Sequence, residues 1–516
     1  MCTGAHAGDA FYYQHSFYTL TVDKTKLESA FLPGGNTVSP RVYRTGAFLQ
    51  DAWKVLPNLS VHVGLRYDQE DVRSADGTKI YNSQVVGVNG NIIQQGGQQF
   101  VLKNEWQPRL GIAWDPAKDG STKVSASYGR FYYALPTDLT VRSYNQKIDA
   151  NTFNYSSDPL TLAQDPAIGK VPFTQGGVTA EPFQDNLKGI YQDEYALGFE
   201  KALTSSLSVA VRYNYRNLGR TIEDRCDFDA AYPEGNANTC TIINPGSSSP
   251  FATGVGVHTC DGRDYVGAAP PGSDCTGPQT TNVAIPAAER RYHGVEFVVK
   301  DQVSNQLWAQ FSYLWSHLYG NYDGEASINE AAKAGGGQTD PGINADYDYP
   351  LFLKNAAGNL ALDHRHSFRL DGAYTTPFGL TVGLGTYLRS GAPISEFGYF
   401  NSGYLSEGYQ IVPRGTVGTY PWTFEINLSA SYAIKFSSVT VTLMAQGNNL
   451  LNHQTPVGLN QDCTVATPNN TAAASGPGSV MDCSAVTNPN SGNPDYGLVS
   501  WRTDPRVFKL GARVSF

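Results

Sequence analysis

The chain has 516 residues, 41% of them hydrophobic, and a formal net charge of −9. No apolar run approaches the roughly 18–20 residues a transmembrane helix needs, which excludes a helical membrane protein. The acidic balance argues against a nucleic-acid partner held on a basic surface.

The opening segment MCTGAHAGDAFYYQ has neither a basic stretch nor an apolar core, so no secretory signal is read there, and Cys2 has no lipoprotein signal ahead of it. A strand is predicted over about residues 8–22, without a short-turn partner. Six strand pairs follow, each joined by a very short turn: 47–55 with 59–68, 108–115 with 121–133, 191–202 with 206–216, 290–302 with 306–320, 365–376 with 379–391, and 422–436 with 439–452. In the first pair Leu59, Val61, Val63, Leu65 and Tyr67 share one face, and Ser60, His62, Gly64, Arg66 and Asp68 share the other. A period of two over ten residues is a half-buried strand, not a helix. The same pattern places Leu207, Val209, Val211, Leu428, Ala430 and Ile434 toward an apolar surround, with Arg212, Arg216, Glu425 and Lys435 opposite. A last strand stands alone, with Phe508, Leu510, Ala512, Val514 and the terminal Phe516 on one face.

The connections between pairs are long and rich in Gly, Pro, Asn, Ser, Thr and Asp: about 72–107, 134–190, 218–289, 321–363, 392–421 and 452–504. Loops of this length are rare in compact soluble domains. Some are expected to carry extra hairpins, such as TKIYNSQVVGVNGNIIQQ. A soluble sandwich or propeller also alternates, but here the second face carries Arg, Glu, Lys and Asp at mid-strand. A membrane barrel places such residues in a wet lumen. The expected fold is therefore all-β: an antiparallel transmembrane β-barrel, partial, of roughly 14 strands, with long extracellular loops and short periplasmic turns.

Several stretches resemble the barrel of TonB-dependent outer-membrane receptors, in particular the large Oar-like group with a carboxypeptidase-regulatory-like N-terminal domain. They are AFLQDAWKVLPNLSVHVGLRYD, QPRLGIAWDP with VSASYGRFYY, YQDEYALGFEKAL, RRYHGVEFVV, FSYLWSHLYGNYDG, LDHRHSFRLDGAYTTPFGLTVGLGTYLRSGAPIS, GNNLLNHQTP and the terminal strand. The resemblance runs from about residue 44 to 516 and lies in their order and spacing. It implies a bacterial outer-membrane location and energy-coupled uptake of a large or scarce substrate. It also implies outer-membrane lipid as surround, and recognition by the barrel-assembly machinery through the strand ending at Phe516. That family carries a TonB-contacting peptide and a plug ahead of a barrel of 22 strands. Neither is recognised here, so the chain is expected to be the C-terminal portion of a longer barrel, with TonB reached only through the part ahead of it. A surface scaffold or adhesin without transport is the rival reading, and the extracellular ligand is left unassigned.

The residues capable of chemistry also have plainer roles. His364 and His366 in Asp363-His364-Arg365-His366 could form half a metal site; a strand entering at its polar rim is preferred. Asp323, Asp346 and Asp348 could offer oxygens to Ca²⁺ but lack a defined calcium loop. Asp193-Glu194 and Glu289-Arg290-Arg291 begin strands, with no nucleophile motif beside them. Gly335-Gly336-Gly337 lacks the strand–helix context of a phosphate cradle. No catalytic, metal or cofactor site is expected. Trp53, Tyr67, Trp114, Tyr128, Tyr132, Trp315, Tyr319 and Trp422 read as interfacial girdle or rim, with ligand stacking by some loop tyrosines left open. Cys226, Cys240, Cys260 and Cys275 share one connection, and Cys463 and Cys483 another. Clustered cysteines outside the cytoplasm suit disulfides. Sequence does not fix the connectivity; neighbour pairing (226–240, 260–275, 463–483) is expected.

Overall fold

The computed structural model describes residues 11–13, 41–73, 81–86, 92–99, 101–135, 153–155, 187–226, 240–246, 255–260, 263–266, 281–283, 285–324, 347, 353, 355–399, 408–410, 412–461 and 496–516. One large sheet dominates. Its wall strands, in chain order, are β1 (Arg41–Leu56), β2 (Leu59–Arg73), β3 (Val101–Trp114), β4 (Thr122–Tyr132), β5 (Tyr191–Ala202), β6 (Leu207–Arg220), β7 (Arg290–Asp301), β8 (Leu307–Gly320), β9 (His366–Thr375), β10 (Leu380–Arg389), β11 (Thr423–Phe436), β12 (Val439–Asn448) and β13 (Val507–Ser515). Each pairs antiparallel with the strand before and after it, and Gly358–Asn359 adds a two-residue fourteenth strand beside β8. The six sequence-predicted pairs and the final strand are all in this wall. Of the strand expected over 8–22, Phe11–Tyr13 alone lies within the described residues, and it pairs with Phe153–Tyr155 in a separate sheet. Among the described residues the wall begins at β1. Tyr81–Val86 and Ile92–Gln99 form the hairpin expected between β2 and β3.

The short turns close with local side chains. In the β3–β4 turn the Asp115 carboxylate accepts from the backbone N–H of Ala117, Lys118 and Gly120. Gly120 there has φ +76°, a left-handed conformation glycine adopts without steric cost. Thr204, Ser304 and Thr376 each accept from the N–H of the residue that opens the next strand, at 2.9–3.1 Å. These are the local bonds that make Ser and Thr turn formers.

Register carries one face unbroken across the sheet. Arg212 lies opposite Gly198 on β5 and Glu296 on β7, while Val211 lies opposite Phe199 and Phe297. On the Val211 face Leu65, Leu110, Leu197, Leu370, Leu428, Leu443 and Leu510 are all exposed. A contiguous apolar surface of this extent belongs in lipid. This is the orientation read from the sequence, including Leu428 outward and Glu425 inward.

The packed core sits at the loop end. Val72, Leu102, Leu135, Leu187, Ile190, Leu218, Ile222, Ile242, Ile243, Ile285, Ala288, Tyr322 and Tyr347 form one buried cluster. Val72, Leu102 and Leu218 belong to the face of Arg44, Arg66 and Arg216, so the loops fold over the inner side of the strand extensions. Bulges mark the passage: one between Asp68 and Glu70 against β3, where Asn104 has φ +61°, and one at Gly219. A Cβ at Gly219 would enter the Tyr191 ring.

Candidate functional site

The inner wall carries a ladder of ions. On β4 to β7, Lys123 meets Glu200 at 3.7 Å, and Arg212 bridges Glu200 and Glu296 at 3.3 Å each. Arg216 faces Glu194 at 3.5 Å. Between them Gly111, Ala113, Ser125, Ser127, Ala196 and Gly198 leave a shallow hollow of about 210 Å³. The small side chains keep the backbone accessible, and the ions offer both signs to whatever fills the lumen.

Aromatic rings form two bands on the outer face. Near the loop end Tyr67 meets Trp106 (4.7 Å between centroids), and Tyr128, Tyr195, Tyr215 and His293 follow around the wall at 4.7–5.9 Å. His366 continues the band, stacked with Trp422 at 6.0 Å. Trp53, Trp114, Phe378 and Phe436 are exposed at the turn end. On β3, Trp106 and Trp114 are separated by about 27 Å along the strand. At the usual tilt that is about 20 Å of height, close to the roughly 25 Å apolar band of an outer-membrane barrel. The rings predicted as girdle thus divide between two membrane surfaces.

Above the upper band, polar bonds stitch neighbouring connections in order. Leu135 N–H donates to Glu70 at 2.9 Å. Asn244 exchanges two bonds with the Lys188 backbone. The Thr221 hydroxyl donates to Tyr322 at 3.0 Å. Arg414 pairs with Asp323 at 2.8 Å, both nearly fully buried. Gln461 receives Ser395 N–H at 2.6 Å, and Tyr496 donates to Glu396 at 2.7 Å. Burial first, then the Glu396 carboxylate, pushes the Tyr496 hydroxyl above the usual tyrosine range. At the foot of this rim lies a buried acidic layer. Asp68 is held by Arg66 at 2.7 Å and by Gln107, and Glu70 by Arg44 at 3.0 Å. Glu105 is 0% exposed, and neither of its carboxylate oxygens has a hydrogen-bond partner.

The residues singled out in sequence have structural partners. His364 Nδ1 donates to the Ser390 carbonyl at 2.8 Å, while His366 bonds Tyr313, so the two rings serve different neighbours. Burial lowers the His364 pKa, with Arg389 acting in the same direction. Asp363 takes Leu318 N–H and Arg365. Asp193 takes Arg130 and Tyr128, and Glu289 takes Arg291. Among the described residues no group of three or more His, Cys, Asp or Glu is arranged to hold a metal ion. Asp346, Asp348, Gly335–Gly337, Cys2, Cys275, Cys463 and Cys483 lie outside the described residues. Cys226 faces Cys240 in register, and Cys260 faces Arg263. Sequence reasoning missed Glu105 and Arg414, since a single Glu or Arg among loop residues carries no periodic signal.

A wall with one lipid face, one ionic face and two aromatic bands is that of an outer-membrane barrel. Residues 6–404 match the family described as the outer membrane beta barrel domain, and the chain belongs to it. Its place is the bacterial outer membrane. It is 25% identical over 441 residues to the TonB-dependent transporter Oar of Myxococcus xanthus, covering 79% of this chain and 35% of that protein. The chain thus spans about a third of the length of this curated relative. Among solved structures it is similar to the outer membrane transporter YddB from Escherichia coli, with 14% identity, 92% of this chain and 55% of that one covered, and a TM-score of 0.44. It is also similar to the FrpB iron transporter from Neisseria meningitidis, with 12% identity, 93% and 46% covered, and a TM-score of 0.43.

Proposed function

We propose that this chain is the C-terminal part of the barrel wall of a TonB-dependent outer-membrane receptor, which imports a substrate too large or too scarce for passive diffusion. The supporting observation is the similarity to the Oar transporter across 79% of the chain. The ionic lumen and the stitched rim suit the reading: the first would line the passage, the second would display the recognising loops. Nothing in the comparisons favours the scaffold reading. No reaction is proposed for any residue.

On this reading TonB is met by a part of the receptor other than this wall, and this chain alone does not take up substrate. Strand β13, with Phe516 fully exposed at its end, engages the barrel-assembly machinery. The test expresses the chain with an added signal peptide in a strain lacking the receptor, beside the full receptor gene. Heat-modifiable migration on a gel reports closure, and TonB-dependent accumulation of substrate reports transport. Accumulation is expected from the full receptor alone. Uptake by this chain alone would overturn the partial-wall reading. A full receptor indifferent to TonB would overturn the transport reading.

A further inference from the structure

The loop between β6 and β7 contains a short hairpin, Glu223–Cys226 with Cys240–Ile243. Its register pairs Glu223 with Ile243, Asp224 with Ile242, Arg225 with Thr241 and Cys226 with Cys240. That register is pinned at the base. Ile222, Ile242 and Ile243 are fully buried in the rim core, and the Asn244 side chain bonds the backbone of Lys188 and Thr221. A slip by one residue would turn Ile242 out of the core and pull Asn244 off both partners.

Residues directly opposite in an antiparallel pair have Cα atoms roughly 4.5–5.5 Å apart. A disulfide needs about 4.4–6.8 Å. The competing cysteine described in this loop, Cys260, stands opposite Arg263 in a different small sheet. The outer membrane faces an oxidising compartment, where thiols so placed are converted to disulfides.

We infer that Cys226 and Cys240 are joined by a disulfide that ties the ends of segment 227–239 to the rim. The two thiols lose two protons and two electrons as the S–S bond forms. The electrons pass by thiol–disulfide exchange to a disulfide-bearing oxidant of the cell envelope, which is left as a dithiol. The inference rests on the register and on the outer-membrane location, and holds whether or not the protein transports anything.

The experiment uses the full chain purified from outer membranes, denatured and alkylated with N-ethylmaleimide without reductant. It is then digested with proteases that cut at Glu234 and Phe251, which separate Cys226, Cys240 and Cys260 into different peptides. Mass spectrometry is expected to find the Cys226 and Cys240 peptides joined, two hydrogens lighter than their sum, and parted by reductant. In Cys226→Ser the newly alkylated thiol is expected at Cys240, and in Cys240→Ser at Cys226. Alkylation of both in the unreduced parent chain would overturn the inference. So would a peptide joining Cys226 to Cys260 or Cys275, or Cys226→Ser freeing one of those instead of Cys240. The mapping on the parent chain decides the matter even if a variant fails to assemble.

Discussion

At the loop end two buried ionisable residues sit in opposite circumstances. Arg414 faces Asp323 at 2.8 Å and donates to the Ala356 carbonyl. Glu105 is equally buried, yet its carboxylate oxygens have no hydrogen-bond partner. Removing one member of a buried pair costs about 3–5 kcal/mol, whereas Glu105 has no hydrogen-bond partner for a neutral substitute of the same shape to abandon. Arg414→Met is therefore expected to loosen the rim, and Glu105→Gln to leave it as stable or more so, read as protease resistance of the loops in assembled protein. The reverse order would refute this view of the rim. His364 gives a second expectation. Its folded-state pKa is lowered, so the unfolded segment binds the proton more readily. The contribution of neutral His364 is fully present above its ordinary pKa, about 6.5, and is lost progressively as pH falls below it. Amide protection of residues 363–366, corrected for intrinsic exchange, should fall between pH 7.5 and 5, and His364→Gln should flatten that fall.

For the strands, period-two alternation is a geometric rule and was legible: both faces of β6 and β11 could be read before any register was known. The positions of the short turns were legible too; the bonds by which Thr204 and Ser304 close them are local. The extent of the strands was not. Within the membrane the apolar residues of β2 point outward at Val63, Leu65 and Tyr67. Above it the buried apolar residue is Val72, on the inner face with Glu70. The surround changes from lipid outside to rim core inside, so the pattern changes phase and a period-two search stops. That is why β2 and β3 extend past the expected loop boundaries. Strand β1 was recognised only from Ala47 onward, since its first residues carry Arg41 and Arg44. Spin labels test the assignment. Val211 and Leu428 should report lipid, and Arg212 and Glu425 the lumen. Val211→Arg should cost about 2–4 kcal/mol near mid-membrane. A lipid-accessible label at 212 with a wet one at 211 would refute the register.

At the scale of the wall, β1 and β13 are the two edges among the described residues, and neither pairs with the other. Strands alternate in direction, so the first and thirteenth both run toward the short turns. Joining them directly would make a parallel seam in a sheet that is otherwise antiparallel throughout. An unpaired edge cannot face lipid, where each unsatisfied backbone group costs several kcal/mol. An odd number of further strands would satisfy both edges and the even count of bacterial barrels. Cysteine pairs test this: Ala445→Cys with Leu510→Cys, register partners on β12 and β13, should cross-link on mild oxidation. Cysteines scanned along β1 at Ala47, Leu49, Asp51 and Trp53 should not cross-link to Leu510→Cys. Ready cross-linking would mean the wall closes on itself through a parallel seam. The nearest-neighbour order of the wall also bears on how a gene of this kind changes length. A recombination that doubles or deletes one hairpin adds or removes two strands and leaves the remaining ladders in register. The tally of strands then moves in steps of two, so a lineage can widen or narrow its pore while never passing through an odd-numbered ancestor.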